Sequence, residues 1–203
     1  MKAKLYVLAA PSGAGKTTLV KELVARQPEL RFSVSYTTRR KRENEEEGKD
    51  YFFVDEDEFE RLREAGELLE SANVFDNFYG TSKAQVQTHL AADRNVILEI
   101  DWQGARQVRE AMPDCVTVFI LPPSRSELEA RLRGRQTDSE YVIRRRLRDA
   151  LTDMAHWSEF DYCVINDDLE AAVGDLEAIF AGAGDESRVT DRVLRERIEN
   201  ILA

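Results

Sequence analysis

Five apolar residues, Leu5 to Ala9, run straight into Ala10-Pro11-Ser12-Gly13-Ala14-Gly15-Lys16-Thr17, and from Thr17 to Ala25 apolar side chains return at Leu19, Val20, Leu23 and Val24. No other stretch of the 203 residues limits the fold so tightly. The short unbroken apolar run reads as a buried strand, and the later spacing reads as a helix. Strand, glycine-containing loop and helix, in that order, is the context a Walker A phosphate loop requires. There, consecutive backbone N–H groups and the helix N-terminus present partial positive charge to phosphate oxygens. Gly13 and Gly15 allow close approach without a Cβ. Lys16 is expected to reach the β- and γ-phosphates of ATP, and the Thr17 hydroxyl to ligate Mg²⁺. The strict motif has glycine where Ala10 stands, so the loop departs from it at one position.

The alternation continues. Val96 to Ile100 reads as a strand followed by a helix from about Gln103 to Ala111. Cys115 to Leu121 reads as a strand before a helix from about Ser124, and Tyr162 to Ile165 as a strand before a helix over Leu169 to Phe180. Strands alternating with helices imply an α/β fold with a parallel sheet covered on both faces. Glu99 and Asp101 lie two apart at the end of one strand and so share a face. They resemble a Walker B position, with Asp101 orienting Mg²⁺-bound water or an arginine at the substrate. A helix cap at Asp101 is the plainer alternative.

Two stretches interrupt the pattern. From Phe32 to about Gly80 the chain reads as short strands and turns around one helix, with Asp55 as N-cap and Glu58 at the capping-box position. From Glu127 to about Trp157 it reads as a charged helical pair bearing Arg131, Arg133, Arg135, Arg144, Arg145, Arg146 and Arg148. The tail after Gly184 places Val189, Val193, Ile198 and Ile201 at helical spacing. It is expected to dock on the body or on a second subunit, which leaves a homo-oligomer open.

The net charge of −10 argues against a general affinity for nucleic acid or anionic membrane, so any bound anion must meet local basic clusters. Cys115 and Cys163 sit in apolar runs without metal-ligand spacing, as expected of buried reduced thiols in a reducing compartment. The apolar run after Lys4 is too short for a signal peptide or a membrane span. The cytosol is the expected location.

Several separated segments resemble the guanylate kinase family, and the likeness runs over nearly the whole chain. Ala10 to Lys16 is similar to the bacterial form of its phosphate loop, where alanine at the first position is familiar. Ser33-Val34-Ser35-Tyr36-Thr37-Thr38-Arg39 resembles its GMP-domain signature. So do Gly48-Lys49-Asp50-Tyr51-Phe52-Phe53 and Tyr79-Gly80-Thr81-Ser82, while Ile100-Asp101-Trp102-Gln103-Gly104-Ala105 and Ile165-Asn166-Asp167-Asp168 resemble other segments of the family. The resemblance implies a P-loop kinase fold: a parallel core sheet flanked by helices (1–33, 83–125 and 151–203), an inserted small mixed β GMP-binding domain (34–82) and a helical lid (126–150). It implies transfer of the γ-phosphate of MgATP to GMP, with small-molecule substrates ATP and GMP and Mg²⁺ as cofactor.

Carried over residue by residue, the resemblance implies that Ser35, Glu70 and Thr81 read guanine, while Arg39, Arg42, Tyr51 and Tyr79 hold the GMP phosphate, with Asp101 in the same acceptor set. Arg131, Arg135 and Arg146 fall to the ATP phosphates and Asn166 to the neighbourhood of adenine. Lys16, Arg39, Asp101, Arg135 and Arg146 are the catalytic candidates. Chemistry favours these roles. A carboxylate such as Glu70 accepts from guanine N1–H and the 2-amino group together, whereas adenine offers it a lone pair and no 2-amino group. Arginine forks suit a phosphate dianion better than lysine does.

Plainer readings stand beside these. Arg39, Arg40, Lys41 and Arg42 precede Glu43, Glu45, Glu46 and Glu47 and also fit a self-neutralising surface loop. The lid arginines also fit an exposed helix face, and Tyr51 and Tyr79 core aromatics. His89 and His156 read as surface residues. Lys41 stands where the family usually has proline, Asn44 where it has glycine, and Gln136 where it has glycine after Arg135. Two rivals remain: a P-loop kinase of another nucleoside monophosphate or of a ribose phosphate, and a non-catalytic interaction module of the same fold. The second usually lacks the lysine and arginines retained here.

Overall fold

The structure is a computed structural model and describes residues 2–74, 76–134 and 140–203. In chain order the elements are β1 (Leu5–Ala9), α1 (Lys16–Arg26), β2 (Arg31–Phe32), β3 (Ser35–Thr37), β4 (Phe52–Phe53) and α2 (Glu56–Glu64). Then come β5 (Leu68–Val74), β6 (Asn77–Ser82), α3 (Lys83–Ala91), β7 (Val96–Ile100), α4 (Trp102–Ala111) and β8 (Val116–Leu121). The chain closes with α5 (Arg125–Gly134), α6 (Glu140–Met154), β9 (Tyr162–Ile165), α7 (Leu169–Ala181) and α8 (Arg192–Leu202).

The strands form two sheets. A parallel five-stranded sheet runs β2-β7-β1-β8-β9, and a mixed four-stranded sheet runs β4-β3-β6-β5. This is the expected α/β architecture with its inserted small sheet. Every residue of β1 is buried, as an apolar run without alternation requires. By contact density the chain divides into one unit of residues 1–7 with 28–116 and another of 8–27 with 117–203.

In the second unit, α1 buries Leu19, Val20 and Leu23, and α7 buries Ala172, Val173, Leu176 and Ile179. Arg26 in the last turn of α1 donates from Nη2 to both carboxylate oxygens of Glu170 in the first turn of α7, at 2.7 Å each. Each charge thus sits at the helix end whose dipole favours it. In the first unit Phe59 of α2 stacks on Phe78 of β6 with centroids 5.5 Å apart, seating α2 on the small sheet.

Four local expectations need correction or refinement. Asp55 does cap α2, accepting from Glu58 N–H at 2.8 Å, but the Glu58 carboxylate turns to Arg61 at 2.8 Å instead of closing a capping box. An available arginine three residues on offers a charged partner, which the capping box does not. Cys115 precedes β8, although it and Cys163 are buried free thiols as expected. In the tail α8 buries Ile198 as expected, but its other buried residue is Leu194, while Val193 is 60% exposed. His89 and His156 are half-buried, and His156 Nδ1 lies 2.6 Å from Glu159 Oε1. Among the described residues no helix is long and apolar enough to cross a membrane.

Candidate functional site

The donor loop lies in the second unit, between β1 and α1. Gly15 is the N-cap of α1 at φ 92°, with no side-chain cap, and Lys16 is the first helical residue. The positive end of the helix is therefore not sealed by a capping side chain, as anion binding requires. Among the described residues only Asp76 and Asp93 are non-glycine residues at positive φ. Ala10 is not among them, which explains why alanine serves at the first motif position: its backbone is in territory open to any residue.

The loop is braced through the Ala14 carbonyl. That oxygen accepts from Asn166 Nδ2 at 2.8 Å and from Arg131 Nη1 at 3.3 Å. Arg131 also donates from Nη2 to the Asn166 carbonyl at 3.1 Å and from Nε to Glu127 at 2.9 Å. Asn166 is buried at the end of β9, and Arg131 comes from α5. Two of the residues expected at ATP thus reach the loop, gripping its backbone. A Cβ on Gly15 would stand 2.4 Å from Asn166 Nδ2, so only glycine fits between brace and loop. Arg146 is half-buried on α6. Arg135, like Gln136, lies outside the described residues.

The acceptor set lies in the first unit, on the small sheet. Ser35 of β3 pairs with Thr81 of β6, which pairs with Glu70 of β5. Register alone thus places the three predicted guanine readers in one row across three strands, sharing a face. A register shift between Leu68 and Glu70 makes this row possible: Leu69 is an extra residue, and the ladder resumes with Glu70 opposite Thr81. All three are buried, and Thr81 Oγ1 donates to Glu70 Oε1 at 2.6 Å. A buried carboxylate is costly without partners, so this row is a polar cluster set into the sheet rather than ordinary apolar core.

Glu70 also abuts α4. Asp101 is the N-cap of that helix, its Oδ1 accepting from Gly104 N–H at 2.8 Å while Oδ2 accepts from Gln103 Nε2 at 3.2 Å. β7 ends at Ile100, so the cap reading of Asp101 describes its geometry.

The arginine loop begins where β3 ends. Phe78 of β6 fixes its start, taking a bond from Thr37 Oγ1 at 3.0 Å and giving one to Thr38 Oγ1 at 2.9 Å. Arg39 then meets Glu45 end-on, with Nη2 to Oε1 at 2.6 Å and Nη1 to Oε2 at 3.1 Å. Its Nη1 also donates to the Arg40 carbonyl at 2.9 Å. Burial pulls the Arg39 guanidinium down, but Glu45 and Tyr79 together outweigh it and the net direction is up. Burial likewise pushes Glu45 up, but Arg39 and the Arg42 amide outweigh it and hold the carboxyl below its ordinary 4.5. Arg42 donates from its backbone N–H to Glu45 at 2.8 Å while its side chain stays 60% exposed. Tyr51 and Tyr79 meet edge-on at 5.9 Å, and Arg39 Cζ lies 5.3 Å from the Tyr51 ring centre. Burial, and then the Glu99 carboxylate, push Tyr51 up to about 12, so its hydroxyl remains a donor through the neutral range. Arg39, Tyr51 and Tyr79 therefore converge, with Arg42 on the open side.

Sequence reasoning passed over Glu45, which reads in the chain as one of four loop acids. Its signal was its position, three residues after Arg42 and six after Arg39. It also left Arg131 and Asn166 without their bracing contacts.

The family profile described as guanylate kinase matches residues 2–183. The guanylate kinase of Methylococcus capsulatus is 57% identical over 175 residues, covering 86% of each chain. That of Alkalilimnicola ehrlichii is 50% identical over 202 residues, covering 100% of each. The crystal structure of guanylate kinase from Anaplasma phagocytophilum superposes with a TM-score of 0.75 at 34% identity, covering 98% of this chain and 94% of that one.

Proposed function

The chain belongs to the guanylate kinase family and transfers phosphate from ATP to GMP, and we propose that it does so with a backbone-built donor set and a side-chain-built acceptor set. The observation that supports the residue assignment is the buried row Ser35–Thr81–Glu70, which sets a carboxylate, the acceptor type guanine asks for, among polar side chains. Glu70 accepts from N1–H and the 2-amino group of the base, Thr81 and Ser35 complete the edge, and Arg39, Arg42, Tyr51 and Tyr79 take the phosphate. Residues 34–82 then act as the GMP-binding segment and 126–150 as the lid.

The loop Ala10 to Thr17 holds the phosphates of ATP, with Lys16 on the β- and γ-groups and Arg135 and Arg146 as further cations from the lid. Arg131 and Asn166 serve ATP through the Ala14 carbonyl they brace. Asp101 steadies the α4 end against which Glu70 rests. The acceptor oxygen of GMP is ionised near neutral pH, so the step needs charge placement more than a strong base. At an effective dielectric of about 20, one cation about 4 Å from a unit negative charge contributes on the order of 4 kcal/mol before desolvation costs. Two anionic substrates need several such charges.

Among the described residues no cluster of three or more acidic, histidine or cysteine side chains forms a metal cage. The donor set suits an ion carried by the triphosphate: Thr17, in the first turn of α1, offers one hard oxygen, as Mg²⁺ bound mainly to phosphate and water requires. Bound there, Mg²⁺ would neutralise charge on the β- and γ-phosphates. Two buried free thiols support a reducing, cytosolic location. A coupled assay of ADP release across GMP, AMP, UMP and ribose bisphosphate tests the acceptor assignment. GMP is expected to be used best, and a better rate with any of the others would overturn it.

A further inference from the structure

The guanine-facing carboxylate does not hold its place by itself. Glu70 Oε1 is fixed by Thr81, but Oε2 faces α4, where an added Cβ on Gly104 would stand 2.5 Å from it. The same Cβ would lie 3.1 Å from Glu70 Cδ and 3.2 Å from Asp101 Oδ1. No carbon sits that close to a carboxylate oxygen, and Glu70, 4% exposed and held by Thr81, would have to strain or give up that bond to move away. One turn further along α4, Gln107 grips the backbone of the next residue of β5. Ser71 N–H donates to Gln107 Oε1 at 3.0 Å, and Gln107 Nε2 donates to the Ser71 carbonyl at 2.8 Å. The side-chain amide thus replaces a neighbouring strand at the outer edge of the small sheet, where β5 has only β6 beside it. It does so immediately after the register shift that turns Glu70 toward Thr81.

We propose that Gly104 and Gln107 are positioning residues for guanine recognition: Gln107 fixes the height of β5 against α4, and the missing side chain at Gly104 is the space the Glu70 carboxylate occupies. The inference rests on the reading of Glu70 as the guanine acceptor. It explains why a glycine sits inside α4, where it costs helix stability relative to alanine. The cost is accepted because the carboxylate must lie within contact distance of the helix backbone. A methyl group there pushes Oε2 away, and the carboxylate then cannot meet N1–H and the 2-amino group together.

The test uses the full chain with Gly104→Ala, Glu70→Gln, Glu70→Asp and the double variant Gly104→Ala/Glu70→Asp. Each is assayed with GMP and with IMP, which lacks the 2-amino group, and KM is measured for ATP as well. Alanine is the better helix former, so thermal melting of Gly104→Ala serves as the control for folding. Gly104→Ala is expected to raise KM for GMP about tenfold and to narrow the preference for GMP over IMP, leaving KM for ATP unchanged. Glu70→Asp, whose carboxylate is drawn back by one methylene, is expected to be harmful alone but to recover GMP use in the Gly104→Ala background. Wild-type KM and selectivity in Gly104→Ala, with selectivity lost in Glu70→Gln, would overturn the positioning role and leave Glu70 as the reader. Strictly additive losses in the double variant would overturn it too, because the defect would then not run through the carboxylate. Undiminished GMP preference in Glu70→Gln would overturn the reading of Glu70 itself.

Discussion

In the reading proposed above, the ligand-facing material around Ala14 is largely main chain, and the side chains of Arg131 and Asn166 brace it from one carbonyl. Around Glu70, in the same reading, the ligand-facing material is side chain: strand register aligns it, and the Gln107 side-chain amide braces the β5 backbone at the Ser71 N–H and carbonyl. The difference matches what each region has to recognise. Phosphates look alike in every nucleoside triphosphate, so amides and a helix terminus suffice. A purine edge must be told from its rivals by donors and acceptors, which only side chains supply in sufficient variety.

The most severe way to break this contrast is at Lys16, the one cationic side chain of the donor loop. Lys16→Ala is expected to lower kcat by about a hundredfold to a thousandfold with little change in melting temperature, read by steady-state ADP release and calorimetry. Near-normal turnover would mean that the loop's amides work alone. Glu70→Gln strikes the other region. The acceptor pair becomes a mixed donor and acceptor, and the preference for GMP over AMP is expected to fall by about a hundredfold, seen in the ratio of their kcat/KM values.

Gly15→Ala sharpens the comparison by separating substrates. The new Cβ meets Asn166 Nδ2, and the backbone stays at a φ that costs an L-residue about 1–2 kcal/mol. KM for ATP is expected to rise about tenfold while KM for GMP holds, a split that a general loss of folding would not produce.

The smallest effect is in acid. Glu45 has a folded value below its ordinary 4.5, so the stability it lends the Arg39 loop is present above that ordinary value and is lost as pH falls through the lower one. Below about pH 4.5 the melting temperature is expected to drop more steeply in the wild type than in Glu45→Gln, whose amide does not titrate. Parallel curves for the two proteins would show that the Arg39–Glu45 pair is energetically silent.

The two regions also differ in how far the sequence exposed them. The donor loop was legible because its backbone demands particular residues: a glycine where φ is positive and a lysine at the head of the helix. The one irregular position, Ala10, proved harmless for the same reason, since its backbone makes no such demand. Ser35, Thr81 and Glu70 were legible only through resemblance. Nothing in their local pattern says that residues 35, 81 and 70 stand in one row, because that depends on pairing between distant strands and on the extra residue at Leu69. Glu45 was hidden among like neighbours. Gly104 stood only as part of a segment carried by resemblance and Gln107 only as a position in a helix, and their contacts with β5 appear only once helix and strand are side by side.

That extra residue in β5 sets apart two kinds of genetic change. A substitution at Leu69 alters one side chain and leaves Glu70 opposite Thr81. Loss of a single codon in the same place would straighten the ladder, and because side chains alternate along a strand, it would trade the two faces over the residues that precede the row. The strand should therefore accept many spelling changes and no change of length, so that insertions and deletions, rather than point mutations, mark the limits within which this base pocket can evolve.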